Sequence, residues 1–165
     1  MSIVVDTSAF ISLAVGDVLN HAVTTFDLVT TPTVIKELEA TAAYDDRHGT
    51  AAATMVEQTT ELPIHDTTGA SFETSRVDAG EASCVAAVRQ RDAVFLVTDD
   101  YRALPELQRL VDAEVAVSPI VLRALVTRDV ISRDRADTAF EQIATGRDWL
   151  DVPIYQYARR LLAEA

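Results

Sequence analysis

The sequence predicts an α/β protein. Three layers, α/β/α, surround a mostly parallel sheet, and a helical tail follows. Three observations carry this. Short β-branched runs alternate with segments of helical period, the clear strands run straight into helices, and beyond residue 120 only helical patterns remain. Parallel strands need a crossover between them, and a helix is the usual one. Sheets of this kind gather their sites at the carboxyl ends of the strands.

Ile3 to Val5 is a buried strand, and Thr7 to Ala14 is a helix with Asp6 at the junction. Leu28 to Thr30 is a weak second strand. Thr31-Pro32 opens a helix whose apolar face is Val34, Ile35, Leu38 and Ala42. Ala51 to Glu57 is helical, Leu62 to His65 a short strand, and Ala70 to Arg76 an ambiguous segment read as helix. Gly80 to Arg89 is a helix with Ala82, Val85 and Ala86 at helical spacing, and Val94 to Val97 is the clearest strand. Tyr101 to Leu110 reads as a helix that Pro105 interrupts, and Val115 to Val117 as the last strand. Two tail helices follow, one through Ala136, Ala139, Phe140, Ile143 and Ala144 and one through Ile154, Tyr157, Ala158, Leu161 and Leu162, with Gly146 as the stop between them. With no Pro/Gly-rich linker and no repeat, 165 residues read as one domain, its core about 3–120 and its C-terminal helices about 121–164.

Composition limits the function classes. Fourteen Lys+Arg against 26 Asp+Glu give a formal net charge of -12, so bulk attraction cannot hold nucleic acid and a nucleic-acid role needs a local site. Lys36 is the only lysine, and Ala, Thr and Asp are abundant. This composition resembles proteins of a high-salt cytoplasm, such as that of halophilic archaea, where a screening length of about 3 Å at 1 M salt mutes carboxylate repulsion. Cys84 is the sole cysteine, which excludes an internal disulfide and a cysteine zinc cage. The N-terminus lacks a signal-peptide pattern and no apolar run is long enough to span a membrane, so a cytoplasmic protein with no membrane partner is expected.

The chemistry lies in carboxylates. Asp6 ends the first strand, and Asp99 and Asp100 follow Thr98 at the end of the clearest one. Each aspartate alone reads best as a helix N-cap, worth about 1 kcal/mol. As a set at equivalent strand ends they read as a site. Glu37 borders an apolar helix face and alone reads as a solvated acid. Glu81 follows Asp78 by three residues, a capping-box spacing, while Gly80 between them favours close backbone approach, so two readings stand level. If these acids converge, mutual repulsion requires a cation, and an all-oxygen set suits a hard divalent ion such as Mg²⁺. Such a site supports in-line phosphodiester hydrolysis.

The blocks Val-Val-Asp-Thr-Ser-Ala, Val-Ile-Lys-Glu-Leu, Gly-Glu-Ala-Ser and Leu-Val-Thr-Asp-Asp, in this order, resemble the PIN-domain nucleases, among them the VapC-type toxin ribonucleases. Matched block by block, the resemblance places Asp6, Glu37, Glu81 and Asp100 on the family's acidic quartet as catalytic residues. Asp6, Glu81 and Asp100 are the implied metal ligands, with Asp99 as the adjacent alternative. Thr7, Ser8 and Thr98 fall on supporting hydroxyl positions. Many members carry aspartate where this chain has Glu81. The resemblance implies a parallel sheet, Mg²⁺ or Mn²⁺, cleavage of single-stranded RNA, a homodimer and, for a toxin, a cognate antitoxin protein. Arg102, next to the acid pair, is expected to contact substrate phosphate, with an ion pair to Glu106 as the alternative. Arg123, Arg128, Arg133 and Arg135 read equally as a basic lip or as solvated helix faces.

Two other classes compete. One is a catalytically silent PIN-like interaction module in RNA processing, its acids serving caps and solvation. The other is a receiver or phosphatase with Asp6 as nucleophile, disfavoured by the early position of Lys36 and by Asp6-Thr7-Ser8 in place of an Asp-x-Asp loop. His21, His48 and His65 have no ligand spacing, Cys84 reads as a small buried hydrophobe, and neither a nucleophile elbow nor a P-loop is present.

Overall fold

A computed structural model describes residues 1–58, 62–64 and 77–164. Four short strands, β1 (Ser2–Val5), β2 (Asp27–Val29), β3 (Phe95–Val97) and β4 (Glu114–Ala116), form one sheet in the order β2-β1-β3-β4. All three pairings are parallel, so the sheet is wholly rather than mostly parallel. Val4 pairs with Leu96 and Val5 with Val97, and all four are buried. Neighbouring strand residues face opposite sides, so both faces of the sheet are covered, which is the three-layer arrangement.

Nine helices occur among the described residues: α1 (Thr7–Val15), α2 (Leu19–Thr25), α3 (Pro32–Ala42), α4 (Arg47–Gln58), α5 (Ala79–Arg91), α6 (Leu104–Leu110), α7 (Pro119–Thr127), α8 (Arg133–Gly146) and α9 (Pro153–Ala163). Helix α5 packs on β1 and β3 and is buried almost all round from Gly80 to Val88. Residues Ile120, Val121 and Ala124 of α7 face Ile3, Phe95 and Val97 across an apolar cavity of about 250 Å³. The C-terminal helices pack on the core through Ala136, Ala139, Phe140, Ile143 and Ala144, then Ile154, Ala158 and Leu162.

Several boundaries differ from the sequence reading, each for a physical reason. Pro105 does not interrupt a helix. It sits in the first turn of α6, where its missing N–H costs nothing. Helix α2 is absent from the sequence reading because Leu19 and Ala22 are its only buried anchors and Val18 caps it without a polar side chain. The short strand from Leu62 reduces to one parallel bridge between Ile64 and Thr30. His65 and the helix read at Ala70 to Arg76 lie outside the described residues. Five aspartates (Asp17, Asp92, Asp129, Asp148 and Asp151) adopt positive φ, the role glycine usually takes at helix ends. Part of the aspartate surplus therefore shapes backbone turns.

Candidate active site

The sheet order makes β1 and β3 neighbours, so their carboxyl ends lie side by side. The ladder continues one step past each strand, with Asp6 N–H donating to Val97 O and Thr98 N–H to Ala116 O, both at 2.9 Å. Asp6 stands at the N-cap position of α1 yet makes no side-chain capping bond. Capping therefore does not explain it. Its Oδ2 accepts instead from the hydroxyls of Thr98 (3.0 Å) and Ser8 (3.1 Å). Those two hydroxyls also take backbone amides of the acid pair: Asp99 N–H donates to Ser8 Oγ and Asp100 N–H to Thr98 Oγ1.

Two helices carry the other acids to this point. Thr31 caps α3 by accepting from Val34 N–H, and its Oγ1 lies 2.7 Å from Ser83 Oγ of α5. This buried hydroxyl contact locks together the helices that carry Glu37 and Glu81. Glu37 is half-buried and accepts from Thr7 Oγ1 at 2.5 Å. A Cβ at Gly80 would overlap both Glu37 carboxylate oxygens, so glycine is what lets that carboxylate lie on the backbone of α5. Asp78 and Glu81 complete a reciprocal capping box, with Glu81 N–H on Asp78 Oδ1 (2.8 Å) and Asp78 N–H on Glu81 Oε2 (3.0 Å). Glu81 is 2 % exposed and lines the cleft while it caps, so its two sequence readings coexist.

An open cleft of about 470 Å³ results. Asp6, Glu37, Asp78, Glu81 and Asp100 supply its acids, Thr7, Ser8, Thr41 and Tyr44 its hydroxyls, and Arg147 its only cation among the described residues. Burial and neighbouring charge raise three of these acids. Burial, then the charge of Asp78, pushes the Asp6 carboxyl up to about 7 against the hydrogen bond from Thr98. Burial raises Glu81 to about 8, with the charges of Asp78 and Asp6 and a hydrogen bond to Asp100 adding to it. Burial also raises Glu37.

Two expected residues stand elsewhere. Asp99 lies outside the cleft: its Oδ1 accepts the Ser118 N–H at the start of α7 at 2.6 Å, a carboxylate placed where the helix dipole favours it. Arg102 is exposed and also outside, touching Asp100 only through its backbone N–H. The sequence does not single out Asp78 or Arg147 as site residues. Asp78 reads there only as a cap. Arg147 is 47 residues beyond Asp100, in a tail whose packing no local pattern reveals. The four tail arginines make no lip here: Arg123, Arg133 and Arg135 pair with Glu164, Asp137 and Asp17, and Arg128 lies over Phe26. His48 bonds Gly146 O, and Cys84 is fully buried with its thiol pushed up.

The family model described as "DUF3368: PIN domain" matches residues 2–164, essentially the whole chain. The chain belongs to the PIN domain family. This PIN domain is also similar in fold to a solved PilT N-terminus domain protein, SSO1118, from the hyperthermophilic archaeon Sulfolobus solfataricus P2. That match has a TM-score of 0.52 and 12% identity over 75% of this chain and 92% of the other. No curated protein matches it. PIN domains are commonly nucleases and typically use divalent metals.

Among the described residues no three His, Cys, Asp or Glu side chains converge into a ready cage for an ion. The donor set nevertheless suits a hard cation. It is all oxygen, burial and neighbouring charge raise the pKa of Asp6 and Glu81 so that a cation would relieve them, and Mg²⁺ needs only one or two carboxylates because it keeps several waters.

Proposed function

We propose that this PIN domain is a Mg²⁺- or Mn²⁺-dependent endoribonuclease that hydrolyses phosphodiester bonds of single-stranded RNA. In this reading it works in a salt-rich cytoplasm as the VapC-type toxin of a toxin–antitoxin pair, as a homodimer restrained by its antitoxin. The observation that carries the reading is the buried Asp6, which caps nothing and faces a cleft with four further carboxylates.

Asp6, Asp100 and Glu81 would hold the cation. When bound, it supplies Lewis-acid charge at the scissile phosphate. The chain's own groups do the rest. Ser8 and Thr98 fix the direction of the Asp6 carboxylate, and Thr7 fixes that of Glu37. Glu37, set on the Gly80 backbone, is placed to orient the attacking water. Tyr44 stands at the cleft with 68% of its surface exposed, and its ring offers a stacking face for a base. Tyr44→Ala is expected to raise KM about tenfold, the weight of roughly 1–3 kcal/mol per stacked base, while Tyr44→Phe stays near wild type; initial rates on single-stranded RNA check this.

The test is a panel of single-stranded RNAs incubated with protein in ~2 M KCl and Mn²⁺, since a screened medium suits so acidic a chain. Cleavage that EDTA abolishes supports the nuclease. The second reading, a silent interaction module, draws on the lack of three converging ligands among the described residues. It predicts no cleavage across the panel and no binding of Mn²⁺.

A further inference from the structure

The acid cleft presents a difficulty for any phosphodiester substrate. Five carboxylates line it, and a phosphate brings a further negative charge. Even a divalent cation leaves the pocket crowded with anions. Among the described residues, the one positive group on its wall is Arg147, which follows α8 as its C-cap.

Arg147 is unusual for an arginine in acidic company. Its side chain makes no ion pair and no hydrogen bond with any described residue, and its Nε is buried without a partner. Burial pulls its pKa down, while the charges of Asp99, Asp148 and Asp6 hold it up. Asp99 is its mirror image. One carboxylate oxygen is taken by Ser118 N–H, and the other, Oδ2, is buried and unpartnered. The two side chains feel each other's charge without direct contact. Arg147 is partly buried, and leaving its buried Nε without an acceptor costs stability, so packing alone does not account for it. A planar fork with five N–H donors suits the paired oxygens of a phosphate, and lysine does not replace it there.

We propose that Arg147 is the phosphate-binding residue of the cleft, its guanidinium taking the non-bridging oxygens of an RNA phosphodiester while Asp99 acts as its positioning residue. This rests on the nuclease reading above and assigns to Arg147 the role expected of Arg102. It also gives the C-terminal helices a function, since α8 delivers the cation that the sheet edge lacks.

The test uses the full chain and a fluorescent pool of short, mixed-sequence single-stranded RNA with Mn²⁺. Arg147→Gln is expected to raise KM at least tenfold and to reduce the slope of log affinity against log KCl by about 0.7, the weight of one phosphate contact on a single strand. The shift in melting temperature that Mn²⁺ causes stays at the wild-type value, since the ion's own ligands are intact. Arg147→Lys keeps the salt slope but raises KM severalfold, and Asp99→Asn falls between the two. Arg147→Gln binding and cleaving RNA within twofold of wild type overturns the proposal. So does loss of the Mn²⁺ shift together with activity, which makes Arg147 part of the metal site or of the fold. If Arg147→Gln does not fold, an unchanged KM in Arg147→Lys rejects the bidentate contact. A folded wild type that takes the Mn²⁺ shift yet neither binds nor cleaves the pool overturns the nuclease reading itself, and Arg147 falls with it.

Discussion

Asp6→Asn is expected to abolish RNA cleavage and, without divalent cation, to make the protein more stable at pH 8. The two effects have one cause. Asp6 is buried beside other acids, and its pKa rises from 3.8 to about 7 on folding. An acid whose pKa is raised in the folded state costs nothing below its unfolded pKa, where both states hold the proton. The cost grows as pH rises from about 4, because the unfolded chain ionises first, and it is complete above about 7. At about 1.4 kcal/mol per pKa unit the cost reaches several kcal/mol. Glu81 adds a cost of the same sign over a window that ends near 8. The metal-free wild type therefore loses stability between pH 4 and pH 8, and the neutral amide of Asp6→Asn removes its own share. Denaturant melts of both proteins in EDTA at pH 5 and pH 8 measure this. A variant less stable than wild type at pH 8 contradicts it.

Gly80→Ala separates the site from the fold. The new methyl meets Glu37 carboxylate oxygens, the far end of a flexible side chain, so Glu37 swings away and the helices stay packed. Alanine favours the helix by up to about 1 kcal/mol, which offsets the hydrogen bond lost from Thr7. Stability is expected to change by less than about 1 kcal/mol. Cleavage falls about a hundredfold, the weight of misplacing one positioned group by an ångström. Gly49 is the contrast: a Cβ there meets the backbone carbonyl of Tyr44, which has nowhere to go, so Gly49→Ala damages the fold. Melting curves and initial rates on the same preparations read both effects. Wild-type rates for Gly80→Ala reject the placement of Glu37.

The sheet was legible because β-branched runs such as Val94 to Val97 and the acids that end them are local signals. Alternation gives parallel strands but not their order; that β1 lies beside β3, which brings Asp6 to Asp100, comes from the sheet order. What stayed hidden depends on contacts distant in sequence. Asp99 and Asp100 are adjacent and chemically identical, yet one binds the amide of Ser118 and the other faces the cleft. Only the placement of α7 decides between them. Asp78 reads as a cap because it is one, and its second position on the cleft wall shows only once α5 is set against β1. Arg147 is reached only through the packing of α8 against α1.

A cation site built from Asp6, Glu81 and Asp100 must show in thermal melting with and without Mn²⁺. A ligand at a hundred times its Kd stabilises the native state by about 2.7 kcal/mol, which in a chain of this size raises Tm by roughly 5–10 °C. A rise of that order is expected for wild type at pH 8, with its loss at pH 5, where protons compete for the same carboxylates, and its loss in Asp6→Asn at either pH. No rise in wild type at pH 8, or an equal rise in Asp6→Asn, contradicts it.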